Sequence, residues 1–225
     1  MENFHILIIP HLVLIFNTFF VEKGSFFMNN EINVGGLLAL PYQRDRAVEY
    51  ARRWAFGRNP LFADFAGVGG DCTNFVSQAV LAGSCVVDRT PTFGWYFNSP
   101  DDRAPAWTGV DEFFGFITGE GDYPPPISRP GPFGWVAARE YVSAGDVVQL
   151  ANAAGEFYHT LMITKVSPDG EIFVTGHTND VLDRPLSSYP NTSERFLRIL
   201  GVLAPDGSAL PNCFQELING RKDNV

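Results

Sequence analysis

Apolar residues at positions 47, 48, 51, 54 and 55 recur with the spacing of one helical face, while Arg44, Asp45, Glu49, Arg52 and Arg53 fall mostly elsewhere. The pattern predicts a helix that begins near Tyr42 and stops at GRNP (57–60), where Pro60 disfavours helical geometry for Asn59. LFADFAGVGG then leads through a glycine turn to a second helix starting at Asp71 or Cys72. Cys72, Phe75, Val76, Ala79 and Val80 share one apolar face of that helix, and Asp71 stands where a carboxylate N-cap would accept from free backbone N–H groups. A short helix is expected in VDEFFGFI (110–117); residues 86–145 otherwise read as irregular, broken by Pro91, Pro100, Pro105 and YPPPISRPGP (123–132). Beyond them the rhythm changes. GDVVQL (145–150), YHTLMITKV (158–166), EIFVTGHT (171–178) and RFLRILGVL (195–203) read as strands, and SPDG (167–170) as a hairpin turn. Helices first and an antiparallel meander afterwards define an α+β domain.

The opening MENFHILIIPHLVLIFNTFF does not fit that rhythm. It is apolar across most of residues 4–20 but interrupted by Pro10 and His11. No positive charge precedes the apolar run, no clean small-residue cleavage site follows it, and it falls short of the ~20 continuous apolar residues of a membrane-spanning helix. Residues 1–27 hold no Arg and no Ala, and Met28 marks the change in composition. Two readings stand. A genuine anchor or secretion signal would place the protein outside the cytoplasm or at the cell surface; a leader foreign to the functional protein would leave it cytoplasmic. The expected organisation is a hydrophobic leader over 1–30, a main domain over 40–205 and a C-terminal tail over 206–225, ending in the polar, frayed INGRKDNV.

Composition narrows the function classes. At 225 residues, 45% hydrophobic and 18% charged, the chain is sized for one well-cored globular domain. Its net charge is −9 and its cations are not clustered beyond pairs such as Arg52-Arg53, which argues against a nucleic-acid surface or a polybasic membrane patch. A membrane partner is expected only if residues 4–20 are a real anchor. The three cysteines, Cys72, Cys85 and Cys213, allow at most one disulfide. Cys72 and Cys85 lie thirteen apart and the chain has only four histidines, so no metal or cofactor is expected.

Cys72 carries the candidate chemistry. At a helix N-terminus the macrodipole and the free N–H groups stabilise a thiolate, and the same groups can donate to a developing oxyanion. A buried core cysteine is the plainer alternative. His159 supplies a base: strand alternation sends it to the face of Leu161 and Ile163, the face expected to be covered by the helix. His177 ends the next strand, where it can orient the imidazole of His159 through the second ring nitrogen; Asn179 and Asp180 are rival orienters, or simple turn residues.

GGDCTNFVSQ resembles the nucleophile motif of papain-like bacterial amidases, especially the putative amidase domain family, and more distantly NlpC-type and CHAP-type peptidases. A GD strand ahead of the histidine strand (GDVVQL before YHTLMIT), a polar residue on the next strand (VTGHTND) and the segment YARRWAFGRNPLF extend the likeness over residues 42–186. The resemblance implies a papain-like cysteine peptidase or amidase fold, with helices packed on an antiparallel sheet and the nucleophile at a helix N-terminus. It implies amide hydrolysis through a thioester, with Cys72 as nucleophile, His159 as general base and His177, Asn179 or Asp180 as third member. The backbone N–H of Cys72 would serve the oxyanion; the glutamine expected upstream is missing until Gln43, so a second donor is unassigned. Asp71, Trp95, Trp107 and Trp135 form the expected substrate-binding set, the tryptophans either lining a cleft or filling gaps. The implied substrate is a peptide or peptidoglycan-like amide. An amide or acyl transferase, and an inactive binding module on the same fold, are the alternatives.

Overall fold

The computed structural model describes residues 5–9, 12–16, 33–189, 193–207 and 209–222. It divides into two units, Met1–Glu31 and Ile32–Val225. In the first, β1 (His5–Ile9) and β2 (Leu12–Phe16) pair antiparallel. The Met28 boundary, and with it part of the expected leader, lies outside the described residues. No helix among the described residues is long and apolar enough to cross a membrane.

The second unit runs β3 (Asn33–Val34), β4 (Leu37–Leu40), α1 (Arg44–Trp54), α2 (Cys72–Ser84), β5 (Phe97–Ser99), β6 (Asp102–Arg103), α3 (Pro105–Thr108) and α4 (Val110–Thr118). There follow β7 (Gly131–Ala137), β8 (Val147–Ala151), β9 (Phe157–Val166), β10 (Ile172–Gly176), β11 (Val181–Pro185), β12 (Ser193–Pro205) and α5 (Cys213–Asn219). Eight strands form one antiparallel sheet in the order β11-β10-β9-β8-β12-β4-β3, with β7 on the other side of β12. The fold is α+β, helices packed on an antiparallel meander.

Period-two patterning places two cores on the two sheet faces. Val147 and Met162 join the helical residues Ala47, Tyr50, Phe75, Val76, Val80 and Phe116 in one cluster, whereas Val148, Leu150, Leu161 and Ile163 join Ile172, Val174 and Leu186 in the other. Helix α2 therefore covers the Thr160/Met162 face of β9. This corrects the expectation that it would cover the face of His159, Leu161 and Ile163; the alternation holds, but the helix lies on the other side of the strand.

Helix α2 is also buried on every side rather than along one stripe. Four of its polar residues survive burial because they are bonded, whereas the Ser84 hydroxyl at its end is buried without a partner. Thr73 Oγ1 lies 2.9 Å from Thr160 Oγ1, Asn74 donates to the carbonyl of Ala63, Ser77 donates to that of Trp107, and Gln78 accepts from Tyr50.

The GD pair has a structural reason. Gly145 sits at φ 90°, left-handed territory that favours glycine, and Asp146 is fully buried. Its Oδ1 takes Arg44 at 2.6 Å and the Ile199 N–H at 2.8 Å, while Oδ2 takes the Ser143 N–H at 2.8 Å. One carboxylate thus ties α1, β12 and the start of β8. Burial pushes its pKa up and Arg44 pulls it back.

Part of the expected C-terminal tail, among the described residues 209–222, is helical. Helix α5 docks there, Cys213 is disulfide-bonded to Cys85 at the end of α2, and the Leu217 carbonyl accepts from Trp54 Nε1 and Asn59 Nδ2. Strand β7 occupies part of the stretch expected to be irregular; Pro132 and Gly131 stand opposite Val202 and Leu203 within it.

Candidate active site

The turn into α2 is built from glycines at φ 89° and 112° (Gly69 and Gly70), backbone conformations in which any side chain would be strained. Asp71 follows, but its side chain makes no helix-capping bond. Instead Oδ1 accepts from the Phe65 N–H at 2.9 Å and from Asn74 Nδ2 at 2.8 Å, while the Asp71 N–H donates to Thr178 Oγ1 at 2.8 Å. The carboxylate thereby locks the approach loop, the first turn and the β10 exit together. Being 1% exposed, it is a structural hub and not the substrate contact expected for it.

Cys72 is the first residue of α2, the free cysteine among the three, and 7% exposed. The first N–H groups of a helix have no intrahelical acceptor, and Cys72 stands in that turn. Sγ lies 3.8 Å from Thr73 Oγ1. Thr73 in turn meets Thr160, which also accepts from Gln149 Nε2 at 3.2 Å. The residues next to Cys72 and next to His159 are therefore in direct contact.

His159 itself stands opposite Leu150, with the Tyr158 and Tyr189 rings 6.1 and 6.4 Å away. Burial without a charged partner pushes its pKa down to about 4, so the ring is neutral at pH 7. Among the described residues no hydrogen bond joins it to Cys72, His177, Asn179 or Asp180.

His177 is engaged elsewhere. Its Nδ1 is 2.6 Å from Asp71 Oδ2, its Nε2 is 2.9 Å from the Trp54 carbonyl, and the ring stacks on Phe75 at 4.0 Å. With both nitrogens occupied on the α2 face, it does not orient His159. Asp180 forms a two-pronged pair with Arg58 at 3.0 and 3.1 Å, and Arg58 also reaches Asp64 at 3.3 Å. Asn179 is exposed, at φ 71° in the turn between β10 and β11. Neither rival is placed to orient His159.

The tryptophans separate. Trp95 and Trp107 are 0% exposed core residues, donating to Ser77 Oγ and Asn74 Oδ1 at 3.0 and 2.8 Å, so they line no cleft. Trp135 is half-buried on β7, opposite Arg198. Thr73, Thr160, Gln149 and Arg58 are the site residues that motif reading passed over. Polar side chains at positions 73 and 160, both inside apolar-periodic segments, were the available signal. Among the described residues no group of three or more His, Cys, Asp or Glu side chains is arranged to hold a metal ion.

Residues 41–200 match the family model described as "Putative amidase domain". The chain belongs to that family, and membership points to hydrolysis of amide bonds. No curated protein and no solved structure matches it.

Proposed function

We propose that this protein is a cysteine-dependent amide hydrolase of papain-like architecture, related to NlpC-type and CHAP-type enzymes and acting on peptide amides such as those of peptidoglycan. The supporting observation is a free cysteine at the first position of a buried helix, whose neighbour Thr73 is bonded to Thr160, the neighbour of His159. The thiol thus stands at the first turn of α2, beside the strand whose opening residues carry the neutral imidazole of His159.

In this reading the substrate carbonyl carbon lies against Sγ. The His159 ring, which starts on the face of β9 opposite α2, swings around the beginning of that strand to come within hydrogen-bond reach of the thiol in the substrate complex. The neutral imidazole takes the Cys72 proton as sulfur attacks, and the first-turn N–H groups receive the charge that gathers on the carbonyl oxygen. The imidazolium then returns the proton to the departing amine, leaving a thioester on Cys72. His159, neutral again, removes a proton from water, which attacks the thioester; the acid leaves and the thiol is restored. His177 and Asp71 act by positioning the start of α2.

The test incubates wild type and Cys72→Ala with a panel of peptide amides and purified peptidoglycan. Amine release is followed, and the Cys72 peptide is weighed after acid quench. The expected outcome is hydrolysis by wild type only, with an acyl adduct on Cys72. Undiminished hydrolysis by Cys72→Ala would overturn the proposal. Transfer of the acyl group to an added amine in preference to water would reassign the protein as a transferase.

A further inference from the structure

A cavity of about 550 Å³ opens between α4, the loop after it and the Thr92–Phe93 turn, and the reaction proposed above does not use it. Its wall combines aromatic rings (Phe93, Phe114, Tyr123) with carboxylates (Glu112, Glu120, Asp122). Phe93 and Tyr123 meet edge to face at 5.5 Å. Tyr123 can lie flat on α4 because residue 115 is glycine; any Cβ there would strike its ring.

Two further charged residues, Asp111 and Arg195, line the cavity. They largely cancel, since Arg195 Nη2 donates to Asp111 at 2.8 Å. The guanidinium is fixed besides, with Nε on Gln149 at 2.6 Å and the plane held between the Phe114 and Phe157 rings at 3.8 and 3.7 Å. Glu112, Glu120 and Asp122 are left to set the sign of the space. Their spacing does not suit a metal ion, as no such donor group occurs among the described residues. A concave, aromatic-walled, net-negative space suits an organic cation, which gains from both the ring faces and the carboxylates.

We propose that this cavity binds a primary ammonium group carried on an apolar stem, as an unblocked amino terminus or a lysine-type side chain presents. Arg195 connects it to the nucleophile helix through an unbroken chain: Gln149 Nε2 donates to Thr160 Oγ1, which meets Thr73 Oγ1. The binding itself is independent of the Cys72 chemistry.

The experiment is calorimetric titration of the full chain with pentylamine and, separately, with pentanol. The variants are Cys72→Ala, Gly115→Ala, and the double variant Glu120→Gln/Asp122→Asn, whose positions are exposed. Pentylamine is expected to bind at one site per chain, and to bind Cys72→Ala equally. The double variant should bind roughly tenfold more weakly, the sum of two modest rim charges, and the difference should shrink at high salt. Gly115→Ala should also bind more weakly, through displacement of Tyr123. Absence of pentylamine binding, equal affinity for pentanol, or equal affinity in the double variant would overturn the proposal. None of these results bears on hydrolysis by Cys72.

Discussion

His177 holds Asp71 through a contact of 2.6 Å between Nδ1 and Oδ2, with both side chains sealed from solvent. Asp71 immediately precedes Cys72, so whatever moves this pair moves the start of α2. Phe75 stacking on the imidazole, and the Trp54 carbonyl on its far nitrogen, fix the ring from two more sides.

Removing either member leaves the other buried without its partner. His177→Ala and Asp71→Ala are each expected to cost about 3 kcal/mol in urea unfolding. Their double variant should cost clearly less than the sum. Arg58→Ala, which loses partly exposed ion pairs with Asp64 and Asp180 and a 3.7 Å contact with buried Asp71, should cost about 1–2 kcal/mol, less than either member of the pair. Additive costs at 71 and 177 would show that the pair is not a unit.

Cys72→Ala should abolish amide hydrolysis, by at least ~10³-fold, while shifting the thermal midpoint little, since the side chain is small and among the described residues its sulfur bonds only within α2, to Thr73. The comparison pairs initial rates with melting curves of the same preparations. A large drop in stability would assign Cys72 to the core.

The pH dependence follows from His159. Its folded-state pKa of about 4 lies below the ordinary histidine value, so on acidification the unfolded chain takes up a proton that the native protein refuses. Stability contributed at this position is complete at neutral pH and is lost between about pH 6.5 and pH 4, by up to ~3 kcal/mol. His159→Gln should flatten that limb in unfolding measured from pH 7 to pH 4. For catalysis, the neutral base persists in acid, so the acidic limb of kcat/KM should fall nearer pH 4 than pH 6.5. A limb centred at 6.5 would indicate a different, solvated base.

Breaking the Cys85–Cys213 disulfide frees a loop spanning 128 residues and should cost about 3–5 kcal/mol. Cys85→Ser/Cys213→Ser is the variant to unfold. The loss should be accompanied by faster proteolysis in residues 209–222, where α5 docks through the Leu217 carbonyl contacts, the Arg46–Phe214 contact and an apolar seam.

The elements with a clean period were legible in the chain: α1, α2, α4 and strands β8, β9, β10 and β12 lie where the spacing of apolar residues puts them. Strand β7 was not, because Gly131, Pro132 and Gly134 break its pattern, and only the long partner β12 makes a strand of it. The side of the sheet taken by α2 was not legible either. Alternation fixes which residues share a face, but which face meets a helix depends on polar matches such as Thr73 with Thr160, made across 87 residues. The tryptophans misled for a related reason: large aromatics suit a cleft and a core equally, and only the partners found by the indole N–H groups of Trp95 and Trp107 decide it.

The disulfide also sets the arithmetic of labelling. With Cys85 and Cys213 consumed by each other, the native chain carries a single titratable sulfur. Any thiol-directed probe therefore adds one label or none, and the intact-protein spectrum becomes a direct census of Cys72 occupancy without digestion. The same circumstance exposes a tension: surroundings oxidising enough to keep that clasp closed also threaten the lone sulfur at position 72, whose recessed place at the head of a buried helix is its shelter.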